Sequence, residues 1–280
     1  MKTLKIITCL AAFVTGLGLL PSQGSVVYGG LTWYDSGAAS SLTVSSGTMT
    51  SQNTSPTGNF ALAYLPSTLS AISGPITLTV DFSKLGNGAS SNNVRLGLFY
   101  SGGMKISADN IGLTSGTYAN YTGYTTAFDN QGLASNRITD ALWARTGSNS
   151  ALISTSTPFT QNASTSENTG STPALTSGTP YIMTLTLTYI SPTSMTVSSS
   201  LSGGALGTTI TRSYNETAPT TNFDTIVLYS GTSAATGLNF TSVSVIPEPS
   251  TRNSLVAVLA VSIFGVYVCH RRRRLRGPGL

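Results

Sequence analysis

The sequence predicts an all-β fold, a single antiparallel β-sandwich, and three observations carry that expectation. Within 181–190 the residues Met183, Leu185, Leu187 and Tyr189 alternate with Thr184, Thr186 and Thr188; within 76–82 Ile76, Leu78, Val80 and Phe82 alternate with Thr77, Thr79 and Asp81. Successive side chains of a strand point to opposite faces, so each pattern sets an apolar row against a core and a hydroxyl row toward water. Charged residues make up only 8% of the 280, alongside 29 Gly and 12 Pro, too few charges for the solvated faces of long helices or a coiled coil. Gly, Pro, Asn and Ser punctuate the chain into short segments with no helical period between them, the pattern of a two-sheet sandwich.

Taken in order, the chain begins with Lys2 and Lys5, an apolar run over 6–20, and Ser22-Gln23-Gly24, with small residues three and one before Ser25. That order reads as a secretory signal peptide, residues 1–24, removed before Ser25. Strands follow over 76–82 and 181–190, with weaker alternation over 26–34, 42–50, 93–100, 121–128, 195–201, 208–214, 223–229 and 238–246. About ten to twelve strands in 25–246 suit a jelly roll better than an immunoglobulin domain of about 100 residues. The stretch 154–180 is rich in Thr, Ser, Asn and Pro and reads as a polar loop. After Pro247-Glu248-Pro249, which holds the chain extended, comes an apolar segment over 254–270 and then Arg271, Arg272, Arg273, Arg274 and Arg276. About 16 apolar residues at 1.5 Å each span about 24 Å, a short transmembrane helix. The arginines hold its C-terminal end in the cytoplasm, which leaves the body outside.

The formal net charge of +5 belongs to these ends. Between 25 and 246 six basic residues (Lys84, Arg95, Lys105, Arg137, Arg145, Arg212) face eight acidic ones (Asp35, Asp81, Asp109, Asp129, Asp140, Glu167, Glu216, Asp224), a net of −2. A basic nucleic-acid surface is therefore excluded. Cys9, Cys269 and His270 also lie in the terminal segments. The body then has no disulfide, no thiolate or imidazole metal site, and no Cys/His or Ser-His-Asp nucleophile. No P-loop, G-x-G-x-x-G, G-x-S-x-G or S-x-x-K pattern occurs in it.

Two kinds of candidate site remain. Trp33, Tyr118, Tyr121, Tyr124 and Trp143 are flat rings that could stack on sugars at a sandwich edge, with neighbouring Asn and Asp bonding hydroxyls; the alternative is that they fill the core. No cofactor is expected, and with only oxygen ligands on offer calcium is the one common ion left open, at Asp129, Asn130 or Asp224. No two body carboxylates share DxD, DxE or ExD spacing, so a glycosidic acid/base pair would need distant residues such as Glu216 with Asp224. The body is read as non-enzymatic, and the abundant Ser and Thr make the N-x-[ST] sequons at Asn53, Asn120, Asn162, Asn215 and Asn239 weak evidence for glycans.

The ordered C-terminal triple, Pro247-Glu248-Pro249, short apolar helix and Arg271 to Arg274, resembles the PEP-CTERM sorting signal of Gram-negative bacteria over residues 247–276. The resemblance implies an exported substrate of exosortase, a membrane cysteine peptidase-transpeptidase, processed near Pro247 to Pro249. Its partners would be signal peptidase, the secretion machinery and exosortase. It would sit at the inner membrane through its helix before processing, and at the cell surface or in the extracellular matrix afterwards. The strand pattern of the body is similar to the concanavalin or laminin-G-like sandwiches often joined to such tails. The function expected is a non-catalytic surface or matrix protein that binds polysaccharide; the alternatives are a glycosidase or lyase on the same fold and a purely structural matrix protein without a ligand.

Overall fold

The computed structural model describes residues 26–247 except 28–29, 36–39, 46–47, 54–58, 86–92, 110–111, 113–114, 130–140, 146–150, 154–158, 165–174, 205 and 231–236. The expected signal peptide, transmembrane helix and Arg cluster lie outside the described residues. Among the described residues no helix is long and apolar enough to cross a membrane.

Among the described residues fifteen strands form two sheets whose strand pairings are antiparallel. In chain order they are β1 (Val26–Val27), β2 (Trp33–Asp35), β3 (Ser40–Ser45), β4 (Thr48–Asn53), β5 (Asn59–Ser70), β6 (Ile76–Leu85), β7 (Asn93–Tyr100), β8 (Thr122–Asp129), β9 (Ala141–Arg145), β10 (Phe159–Ser164), β11 (Pro180–Ser191), β12 (Ser194–Gly203), β13 (Ile210–Glu216), β14 (Asn222–Ser230) and β15 (Gly237–Pro247). Sheet 1 runs β13-β12-β11-β6-β15-β4-β3, with β1 also against β15; sheet 2 runs β10-β9-β8-β7-β14-β5-β2. Short 3-10 turns occupy Ala71–Ser73 and Gly116–Asn120.

The predicted alternation is the organising feature of sheet 1. Ile76, Leu78, Val80 and Phe82 on β6, Met183, Leu185 and Leu187 on β11, Met195, Val197 and Leu201 on β12, and Val243 and Val245 on β15 all enter one core cluster. Sheet 2 meets them with Leu96, Leu98, Tyr124, Phe128, Leu142, Ile226 and Leu228. Burying such a side chain is worth about 1.5–3 kcal/mol, so this row decides which face of each strand turns inward.

Sheet 2 differs because its second face is also covered. Phe60, Leu62, Phe99, Trp143, Phe159, Val227 and Tyr229 pack with Ile106, Tyr118, Tyr121, Leu152 and Ile153 in a separate cluster. The strands depart from the sequence reading at several places, and the covered outer face accounts for β5 and β9. β5 carries Phe60-Ala61-Leu62-Ala63-Tyr64-Leu65, apolar on both faces, and β9 is buried at all five positions, so neither shows the alternation that marks a half-buried strand. The polar loop expected over 154–180 contains β10, whose Phe159 is buried. The strand expected over 42–50 is instead the hairpin β3–β4, and the one over 26–34 is divided between β1 in sheet 1 and β2 in sheet 2.

One glycine is required by backbone contact. Gly123 has φ +150, and a Cβ there would lie 2.2 Å from the Leu98 carbonyl oxygen; its lack of a side chain lets β8 pair closely with β7.

The two faces of β11 give a direct test. Leu185 is fully buried, whereas Thr186 is half-buried and shares a hydrogen bond with Thr77. In urea unfolding, Leu185→Asp should lose at least about 3 kcal/mol because a charge enters the core, and Thr186→Asp about 1 kcal/mol or less. Equal losses would overturn the assigned facing.

Candidate functional site

The layer over the outer face of sheet 2 gathers Tyr118, Tyr121, Trp143 and Asp224 from the side chains singled out by sequence. It begins where β7 ends, because Asp224 on β14 captures the chain leaving Tyr100. Its Oδ1 accepts the Ser101 N–H (2.8 Å) and the Thr225 hydroxyl (2.8 Å), its Oδ2 accepts the Ser101 hydroxyl (2.7 Å), and Lys105 Nζ stands 3.8 Å from Oδ2.

The next residues are tied by two phenols. Ile106 N–H donates to Tyr64 Oη (2.7 Å), and Tyr121 Oη donates to the Met104 carbonyl (2.5 Å). The 2.8 Å contact between the hydroxyls then runs from Tyr64 as donor to Tyr121 as acceptor. The resulting chain polarises each of its members and fastens the loop to β5. Lys105 lies 5.0 Å from the centroid of the Tyr64 ring, and Tyr34 packs on that ring at 5.9 Å.

Arg145, at the end of β9, organises the neighbouring turn. Its guanidinium is buried and donates through Nε to the Ala151 carbonyl (3.0 Å), through Nη2 to the Tyr118 carbonyl (2.6 Å) and through Nη1 to the Tyr121 carbonyl. The C-terminal carbonyls of the 3-10 turn thus find a cation where no further helical turn follows. Burial brings this guanidinium down to about 10, with the Tyr121 phenol acting in the opposite direction.

These positions correct the aromatic platform expected from sequence. Tyr118 and Tyr121 are 0% exposed, Tyr124 2% and Trp143 3%; Tyr118 and Tyr121 meet edge to face at 5.5 Å, and Tyr124 packs on Phe223 between the sheets. Rings with no free face cannot stack on a sugar. Trp33 is half-buried and packs against the inter-sheet core, while the adjacent Tyr34 packs with the outer cluster. The half-exposed members are Tyr34, Tyr64 and Lys105. The last two were not legible as neighbours in sequence, because only the folding of the 101–109 loop over β5 joins them.

Of the calcium candidates, Asp224 is committed to Ser101, Thr225 and Lys105; Asp129 ends β8, and Asn130 lies outside the described residues. Among the described residues no group of three or more His, Cys, Asp or Glu gathers. Glu216 and Asp224 are not brought together as an acid/base pair. Glu216, on β13 of sheet 1, accepts the Thr217 and Ala218 N–H groups at 2.9 and 3.1 Å, and Asp224 belongs to sheet 2. Of the sorting residues, Pro247 is the last residue of β15 and is buried; Glu248, Pro249 and Arg271 to Arg274 lie outside the described residues.

The opposite outer face, that of sheet 1, has a different chemistry. Register aligns Thr211, Ser200, Thr184, Thr79 and Ser244 in one row across five strands, and Ser213, Ser198, Thr186 and Thr77 in the next. All are half-buried or exposed. Hydrogen bonds join Thr184 to Ser200 (2.7 Å), Thr77 to Thr186 (3.1 Å) and Thr196 to Asn215 (2.9 Å). At the strand spacing of about 4.8 Å the face is a neutral grid of groups that both donate and accept.

No family model matches the sequence, and no curated protein does. Among solved structures the chain is similar to peanut lectin (15% identity, 79% of this chain and 97% of that one, TM-score 0.45). It is also similar to a Lotus tetragonolobus seed lectin (13%, 81% and 100%, TM-score 0.46) and to a PL-14 alginate lyase from Aplysia kurodai (11%, 77% and 90%, TM-score 0.48).

The buried phenols set an alkaline limit. Burial raises Tyr118, Tyr121, Tyr124 and Tyr64 above their usual value of 10, and burial lowers Arg145 and Arg95. Above pH 10 the unfolded chain gives up phenolic protons that the folded protein keeps, so the tyrosine contribution is full below pH 10 and is lost as pH rises. The two arginines act with the opposite sign, since the folded protein sheds their protons first. With four phenols set against two arginines, stability should fall as pH rises above 10. Urea unfolding at pH 9, 10.5 and 11.5 should show this fall, and the last phenolate absorbance should appear only with unfolding.

Proposed function

We propose that the chain is an exported bacterial surface or matrix protein. In this reading 1–24 is removed by signal peptidase after secretion, the tail 247–276 is a PEP-CTERM-type signal handled by exosortase, and the body is a concanavalin-like jelly roll that associates with neutral polysaccharide without catalysis. The observation that carries the role of the body is the hydroxyl grid of sheet 1. A surface of neutral donors and acceptors with few charges is highly hydrated, and it matches a partner that is itself a repeating array of hydroxyls. The reading as a non-enzyme is supported by Asp224 and Glu216 each being held by local donors. The partners are exosortase, the secretion machinery and extracellular polysaccharide, with the membrane as a partner before processing and nucleic acid outside the set.

Two measurements test this function. Mass spectrometry of the protein recovered from the cell surface should find a C-terminus near Pro247 to Pro249 and no peptide containing Arg271 to Arg274; an intact Leu280 would refute processing. On an array of neutral glycans, the combined variant Thr79→Ala, Thr184→Ala, Thr186→Ala should lose retention by at least about tenfold while unfolding within about 1 kcal/mol of the parent. Unchanged retention would remove the grid from the binding surface.

A further inference from the structure

The exit of the chain from sheet 1 coincides with an apolar end of the sandwich. β15 finishes at Pro247, which pairs with Ile76, the first residue of β6. Leu187 of β11 pairs with the same Ile76, so the hairpin joining β11 to β12 projects beyond this end. The 3-10 turn Ala71–Ser73, which leads into β6, packs against β11. Ile72, Ile190 and Ile246 all belong to this end, and they are 58%, 50% and 40% exposed. The other exposed large hydrophobics among the described residues lie elsewhere: Ile182 beside Asp81 at the opposite end of β6, and Met104 on the loop over sheet 2.

The segments that build this end, 70–80, 187–197 and 242–247, contain no charged residue. Glu216, which register sets opposite Met195, is occupied by Thr217 and Ala218. Exposed apolar groups carried by segments without charge suit a weakly polar partner. Chain length says which partner is at hand. Residues 248–253 are the only link between Pro247 and the apolar segment that starts at Ser254, and six residues reach at most about 20 Å. The far end of β15, a strand of eleven residues, is about 33 Å further away.

We propose that the end bearing Ile72, Ile190 and Ile246 is a lipid-docking surface, which seats the sandwich on the outer face of the bilayer while the tail is attached. This rests on reading 254–270 as a membrane segment. Three isoleucines make a weak contact, and the short tether makes it effective by keeping the lipid at high local concentration. Cleavage near Pro247 to Pro249 therefore removes the tether and the docking together, releasing the body.

The test uses the full chain with Cys9→Ser and Cys269→Ser, in vesicles of phosphatidylethanolamine and phosphatidylglycerol, carrying a single environment-sensitive label. Labels at Ile190→Cys and Ile263→Cys should be quenched by nitroxide lipids, and one at Ser202→Cys, beside Ile182 at the opposite end of the sheet, should not. Quenching at 263 with none at 190 overturns the docking surface and leaves the membrane segment standing. No quenching at 263 overturns both. A concentration-dependent blue shift at 190 without lipid quenching assigns the patch to a second copy and overturns lipid docking. In the combined Ile72→Ser, Ile190→Ser, Ile246→Ser variant a label at Thr193→Cys should lose the quenching seen in the parent while the thermal midpoint is unchanged; retained quenching counts against the isoleucines.

Discussion

The structure depends on the burial of alternate residues of sheet 1 against sheet 2. Ile76, Leu78, Val80 and Phe82 on β6 sit in register with Leu187, Leu185, Met183 and Tyr181 on β11, so one apolar surface crosses the central strands without a break. A shift of one residue would exchange it for the threonine rows. The pairing of β15 with β6 continues the same surface through Val243 and Val245. The last strand of the body is therefore locked into the middle of the sheet up to Pro247.

Covering sheet 2 on both faces has a chemical consequence. The layer that lies on it is made of loops and a 3-10 turn, whose backbone groups need partners once water is removed. Asp224, Tyr64, Tyr121 and Arg145 supply them, through bonds to N–H and carbonyl groups of the covering chain. The buried tyrosines and Trp143 fill volume, and Tyr64, Tyr121 and Tyr124 also close hydrogen bonds. Their polar tips make them suited to a layer that is apolar in bulk but contains irregular backbone.

Two surfaces of contrasting character are left to water. The outer face of sheet 1 presents hydroxyls in rows, and the end where β15 departs presents isoleucines. The first suits a hydrated matrix of sugars and the second a lipid surface. Both follow from a single set of strands: the hydroxyl rows are the outward positions of β6, β11 and β12, and the apolar end is where those strands turn.

Composition and period two were enough to foresee an all-β sandwich and the inward faces of β6, β11 and β12, because a strand with one wet face records its orientation in alternate residues. That no Cys or His stands between 25 and 246 was equally legible. β5, β9 and β10 were not, since a strand buried on both faces carries no alternation and Phe159 stands within a polar stretch. The fate of the aromatic residues was decided by tertiary structure alone: a tyrosine on an exposed edge and one under a loop have the same local sequence. Whether Tyr118, Tyr121 and Trp143 meet solvent depends on the distant Asp224, Arg145 and Tyr64 drawing the loop layer over sheet 2, contacts between residues far apart in the chain that no local pattern encodes.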